Sequence, residues 1–397
     1  MRVESIVVGE GSRPQSVRVS ASFASRRRPR RKEILWFEFP DAFAEKISRT
    51  AEPWLQALLP LAVRWGEPLE IDAPVDETWL RNAHETMRLW SRWYPKLKPV
   101  EIKTAGFRPS VATPEDRGLG LFFTGGVDSF YSLLFHDQTA VETNTKAVDH
   151  LIYVCGYDIP LAHESALEEK IKALDQVARR LNRKLIPVRT NLRETRLGEL
   201  DWGAITHGPA LGAVGLLLEQ TLETVLISAG GNIDDATPWG SHPLSDPLMS
   251  TDRLRFIRYQ NEVNRFEKTR FIAKSAVALD HLHVCWIRKS HDNCGACEKC
   301  VRTMLMLEVL GVLDKASCFP CTVILEKMKS IEVTNALAVP LWEEVKAPAR
   351  AAGREDIVRE IDLCLARSER VIAANANPGL LRRWERKVRH ARKALFR

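Results

Sequence analysis

Apolar and polar residues alternate with a period of two over 3–8 (VESIVV) and 16–23 (SVRVSASF), and 34–39 (ILWFEF) continues in the same manner. Successive side chains of a strand point to opposite faces, so these runs predict three half-buried strands, with SRRRPRR at 25–31 an exposed turn. Over 77–94 the spacing becomes helical, and the stripe Trp79, Leu80, Ala83, Met87, Leu89, Trp90, Trp93 and Tyr94 reads as a packing face. PSVATPEDRG at 109–118 has the composition of a linker.

Beyond it the pattern changes. Short apolar runs at 120–123, 151–154, 184–188 and 224–228 are separated by helical stretches such as 164–181 and 209–222. Buried strands alternating with helices predict an α/β fold, a doubly wound parallel sheet whose ligand sits at the carboxyl ends of its strands. Past Cys300 the chain reads as helical, ending in an amphipathic basic helix from Pro378. The expected organisation is an N-terminal β-rich α+β domain at 1–112, a nucleotide-binding domain with a metal motif at 118–310, and a helical extension at 311–397.

With 397 residues, 45% hydrophobic and 27% charged, the chain is that of a folded protein of two or three domains rather than a disordered or fibrous one. No apolar run is long enough to span a bilayer, and the start MRVESIVVGEGSRPQ lacks the apolar core of a signal peptide. A cytoplasmic protein without membrane contact is expected. The net charge of +7 is concentrated in Arg26–Lys32 and the tail from Pro378, leaving a mildly acidic body. Either basic segment could grip RNA, dock on a partner or form a solvated face.

Two motifs carry chemistry. In GLGLFFTGGVDSFYSLLF (118–135) an apolar strand enters Thr124-Gly125-Gly126-Val127-Asp128-Ser129 and an apolar helix leaves. Paired glycines admit a ligand close to the backbone, and the amides of the helix start form an anion site. Hydroxyls of Thr124 and Ser129 could add donors, and Asp128 could cap the helix or hold magnesium. The loop is neither a Walker loop nor GxGxxG. Second, Cys285, Cys294, Cys297 and Cys300, half of the eight cysteines, form C-x8-C-x2-C-x2-C. Four thiolates at this spacing suit tetrahedral structural zinc, with an iron–sulfur cluster the lesser alternative. Cys155 reads as buried, and Cys318 and Cys321 (CFPC) as packed thiols.

The [S/T]GGxDS loop between strand and helix resembles the pyrophosphate loop of the ATP pyrophosphatase (PP-loop) superfamily, and the cysteine motif resembles that of its 7-cyano-7-deazaguanine synthase branch. Lys268 in RFEKTRFIA, Asn232 and Asp235 in GGNIDD, and His163 in GYDIPLAHESALEE stand where that branch has a lysine, an N-x-x-D and a histidine. The likeness covers about 118–310. It implies a Rossmann-like core of the adenine nucleotide alpha hydrolase type, binding ATP and Mg2+ with a structural Zn2+. It also implies a carbon–nitrogen ligase: a purine-like carboxylate attacks the α-phosphate of ATP, pyrophosphate leaves, and a nitrogen nucleophile displaces AMP.

Lys268, Asp128 and His207 are the candidate catalytic residues, and Thr124 to Ser129 the ATP loop. Asn232, Asp235, Asp246 and His163 are candidates for substrate or magnesium. The departures are Thr124 for serine, Thr206 and His207 for arginine and asparagine, and PWGSHPLSDP at 238–247 for the branch's own loop, which brings His242 in as well. Four readings remain: a deazapurine acid ligase, as a monomer or an oligomer; an enzyme conjugating such a base to a protein or peptide; a tRNA-modifying enzyme; and a non-catalytic nucleotide-binding subunit.

Overall fold

A computed structural model describes residues 1–26, 32–109, 114–230, 237–285, 292–320 and 324–376, with 374–376 by backbone alone. Arg27 to Arg31, Asn232, Asp235, Cys321 and the tail from Pro378 lie outside the described residues. The chain divides into two units, the first spanning Met1–Val263 and the second beginning at Asn264. Among the described residues no helix is long and apolar enough to cross a membrane.

The first unit is built on one ten-stranded sheet. Its strands are β1 (Arg2–Glu10), β2 (Ser16–Ala24), β3 (Lys32–Pro40), β4 (Leu69–Ile71), β5 (Ile102–Lys103), β6 (Gly118–Phe122), β7 (His150–Cys155), β8 (Lys184–Thr190), β9 (Leu222–Ser228) and β10 (Arg255–Tyr259). They lie in the order β10-β9-β6-β7-β8-β3-β2-β1-β4-β5. Six of the nine neighbouring pairs are parallel, the exceptions being β1–β2, β2–β3 and β3–β8.

The predicted N-terminal strands form as expected, but residues 1–112 are not separate from the parallel strands. β3 pairs antiparallel with β8 through Phe37–Thr190 and Glu38–Arg189. Asn191 extends the contact, accepting from the Trp36 amide at 2.9 Å and donating to the Ile34 carbonyl at 2.8 Å. An unpaired β8 would leave a row of open amides and carbonyls, and β3 satisfies part of it. The other expected boundary, at 310, also differs: the division falls at Val263/Asn264, so the cysteine motif belongs to the second unit.

Helices cover both faces of the parallel half. They are α1 (Glu52–Trp65), α2 (Glu77–Trp93), α3 (Val127–Thr143), α4 (Glu164–Arg180) and α5 (His207–Leu217). Phe122, Ile152, Val154, Ile186, Val188, Val225, Ile227 and Phe256 face one core with α1 and α5. Leu121, Phe123, Leu151, Tyr153 and Leu226 are equally buried but outside that core. Phe123 meets Phe130 of α3 edge-on at 5.0 Å, so α3 lies on their side. The chain steps outward from β6 to β7 to β8, then returns to β9. Right-handed crossovers then require α3 and α4 on one face and α5 on the other, as observed.

The aromatic stripe of α2 is the predicted packing face. Trp79 and Trp90 are buried, and Trp79 Nε1 donates to Gln56 of α1 at 2.9 Å. Asp76 caps the helix by accepting from the Trp79 amide at 2.8 Å.

The second unit holds α6 (Arg265–Ile272), α7 (Ala276–His281), α8 (Glu298–Val309), α9 (Ile324–Met328), α10 (Val339–Ala351) and α11 (Glu355–Ala376). Its core centres on α8, which packs against α6, α9 and α10. Trp342 of α10 is fully buried and donates from Nε1 to Glu298 at 2.9 Å.

Candidate functional site

β6 is buried along its whole length and is flanked by β9 on one side and β7 on the other. The strand order therefore reverses beside it, and a crevice opens at the carboxyl ends on either side of such a reversal. Residues Thr124 to Ser129 sit there. Gly125 adopts φ +73°, where a side chain would clash with its own backbone, so the first glycine of the pair is a backbone requirement. Gly126 is extended and precedes α3, and among the described residues no side-chain cap hydrogen bond forms at this N-cap. Thr124 is exposed; Ser129 is buried, and its hydroxyl donates back to the Gly126 carbonyl at 3.1 Å. The first-turn amides of a 17-residue helix thus lie just beyond the carboxyl end of β6.

The segments after β7 and β8 carry further predicted residues. His163 directly precedes α4, its carbonyl accepting from the Leu167 amide at 3.1 Å. A single π-helical turn, Trp202–Thr206, leads into His207 at the start of α5. His207 Nδ1 donates to the Trp202 carbonyl at 3.2 Å, which leaves Nε2 as the acceptor. Burial pushes His207 down to about 4, so its imidazole is neutral at physiological pH.

Trp202 and Trp239 stand 6.1 and 6.3 Å from the His207 ring, Trp239 is 41% exposed, and the Arg193 guanidinium lies over Trp202 at 4.7 Å. Gly203 permits this packing, since a Cβ there would come within 2.4 Å of the Trp239 ring. Trp202, Trp239 and Arg193 were not singled out from the sequence, because an aromatic in a loop carries no periodic signal.

Asp246 is placed differently from an open ligand. It is 1% exposed and accepts from Ser241 Oγ at 2.6 Å and the His242 amide at 3.0 Å, with Arg258 Nη1 at 3.3 Å. Those are the contacts of a loop cap that pins the segment after β9 to β10. His242 is buried with its ring edge-on to Trp93 at 4.6 Å. Burial also places a lysine that the periodicity of α4 concealed: Lys170 lies on the same buried stripe as Leu167 and Leu174, and its ammonium is pushed down to about 7 despite Asp158. Cys155 is fully buried, and burial raises its thiol to about 12, as expected of an inert core cysteine.

In the second unit Lys268 is 2% exposed on α6, so it does not belong to a solvated face. The four motif cysteines converge: their sulfurs all lie within 4.8 Å of one another, and Cys294 and Cys300 are 3.8 Å apart. Four thiolates at a zinc–sulfur distance of about 2.3 Å form a tetrahedron with edges of about 3.8 Å. The donor set therefore fits one tetrahedral ion, and thiolates bound to the separate irons of a cluster would stand further apart.

The amides of Ala296 and Cys297 point at Cys294 Sγ at 3.4 and 3.2 Å, and the Cys300 amide at Cys297 Sγ at 3.5 Å. Cys297 is also the N-cap of α8. The Cys300 thiol and amide together lower Cys297 to about 5, and Cys300 is raised in turn by the same contact. Cys318 is half-buried, and burial raises its thiol to about 12.

The fold and these sites define an α/β protein with a glycine loop at a strand-order reversal and a four-cysteine module able to bind a metal such as zinc. No protein-family model matches the chain, and neither does any curated protein or solved structure.

Proposed function

We propose that the protein is an ATP-dependent ligase of the PP-loop type, with a Rossmann-like core of the adenine nucleotide alpha hydrolase kind. The observation that carries this reading is the position of Thr124–Ser129. A left-handed glycine and an uncapped helix start occupy the crevice at the reversal of a parallel sheet, where phosphate binds in folds of this order.

In the proposed reaction a carboxylate oxygen of the substrate attacks the α-phosphorus of ATP, and the bond to the bridging oxygen breaks with release of pyrophosphate. A nitrogen nucleophile then adds to the acyl carbon, loses its proton and expels AMP. The loop amides stabilise charge on the departing pyrophosphate. Magnesium, once bound, would neutralise further phosphate charge, and Asp128 is the candidate residue to hold it. A flat, ring-bearing acid of the deazapurine type is favoured by Trp202, Trp239 and the neutral His207, which offer π-faces and one acceptor nitrogen.

The test is pyrophosphate release by the full chain with Mg-ATP, ammonium and 7-carboxy-7-deazaguanine. Turnover that Gly126→Asp abolishes supports the reading. Failure of the wild type to bind ATP, or to release pyrophosphate with any acid of a ring-bearing panel, refutes it.

A further inference from the structure

We infer that Asn293 is the positioning residue of the metal site, and that its side-chain amide sets Cys285 in place against the Cys294–Cys300 turn. The inference rests on the reading of the four cysteines as a metal centre. Eight residues separate Cys285 from Cys294 in sequence, so the first ligand is not placed by the turn that places the other three. Asn293 bridges that gap directly. It is 6% exposed, and its Oδ1 accepts from the amides of Val284 at 2.9 Å and Cys285 at 3.2 Å. Its Nδ2 donates to the carbonyls of Leu282 at 2.7 Å and Cys318 at 3.1 Å. Cys300 Sγ lies 3.9 Å from the same Oδ1.

The orientation of the amide is settled by its partners. Two are backbone N–H groups, which only donate, and two are carbonyls, which only accept, so oxygen and nitrogen cannot be exchanged. Both donors and both lone pairs of the amide are used. One side chain therefore ties together the end of α7 at Leu282, the first ligand at Cys285, the second ligand as its own chain neighbour, and the loop carrying Cys318.

No other residue type fills this position equally. Aspartate retains the two acceptor contacts but loses both donors and adds negative charge beside four thiolates. Alanine leaves two amides and two carbonyls to find other partners. Groups outside the ligand shell that orient ligands in this way typically change metal affinity by about 10–100-fold when removed.

The experiment uses the full chain, with zinc affinity read by competition against a chromophoric chelator and ligand geometry read by the absorption of the cobalt(II)-substituted protein. Asn293→Ala and Asn293→Asp are expected to weaken zinc by at least tenfold and to alter the cobalt bands, while the far-ultraviolet circular dichroism stays that of the wild type. Should the alanine variant fold poorly, the nearly isosteric Asp variant carries the test. Wild-type affinity and cobalt bands in the folded variants overturn the role of Asn293 and leave the metal site standing. A wild-type chain that takes up no zinc overturns the metal site itself.

Discussion

Arg108 Nη2 lies 3.4 Å from Glu52 Oε1 inside the first unit, and the same guanidinium faces Glu219 at 3.2 Å and Asp76 at 3.9 Å. Three carboxylates, each at most 6% exposed, thus share one permanent cation. Burial raises Glu52, with Arg108 opposing it, and raises Asp76 as well. The cluster ties the segment after β5 to α1, α2 and the turn after α5.

Removing the cation should be far worse than removing one acid. Arg108→Met strands three buried carboxylates and is expected to cost about 3–5 kcal/mol, whereas Glu52→Gln relieves repulsion and should be close to neutral. A carboxyl raised in the folded state binds its proton more tightly there, so its contribution is present at acidic pH and fades as pH rises through the folded value. The loss in Arg108→Met should accordingly be greater at pH 8 than at pH 5.5 in urea titrations. Equal losses at both pH values would contradict the arrangement.

At Gly125 the relevant quantity is backbone strain. Valine at φ +73° costs on the order of 1–2 kcal/mol or displaces the loop, and displacement would misdirect the amides of α3. Gly125→Val is expected to retain the fold by circular dichroism and to lose at least tenfold in affinity for Mg-ATP or pyrophosphate, as read by calorimetry. Unchanged affinity would separate the loop from phosphate binding.

His207 makes a prediction in the opposite pH direction. Its folded value of about 4 lies below the ordinary 6.5, so the unfolded chain binds the extra proton between those values. The stability it contributes is complete above about pH 6.5 and is lost as pH falls toward 4, on the order of 3 kcal/mol. His207→Gln should flatten the profile of melting temperature between pH 7 and 4.5 relative to wild type.

Metal content gives the simplest check on the cysteine module. One equivalent of zinc per chain is expected by elemental analysis. Cys297→Ser, which removes the thiolate capping α8, should abolish tight binding. Chelation should lower the melting temperature, since a metal held by the folded state alone adds its binding free energy to folding.

How far the chain could be read depended on how local each signal was. Thr124–Ser129 and the four cysteines were legible because strand, glycine pair and helix, or thiol spacing, are short-range patterns. The strands of the first 40 residues were equally legible from alternation. What they pair with was not: Phe37 meets Thr190 across more than 150 residues, and no local period records such a partner. Asp246 shows the same limit in a side chain, since its role as a cap depends on Arg258 and on burial that composition does not reveal.

By itself the sequence determined the three N-terminal strands, the apolar strands β6 to β9 with helical stretches between them, the glycine pair between β6 and α3, and which four sulfurs belong together. These follow from steric preference and hydrophobic period within a few residues. Tertiary structure alone decided that β3 closes onto β8, that the strand order reverses beside β6, and that Asn293 holds Cys285 beside the Cys294–Cys300 turn. Those outcomes arise from satisfying buried hydrogen-bonding groups across long separations, a requirement the whole fold must meet and no single segment encodes.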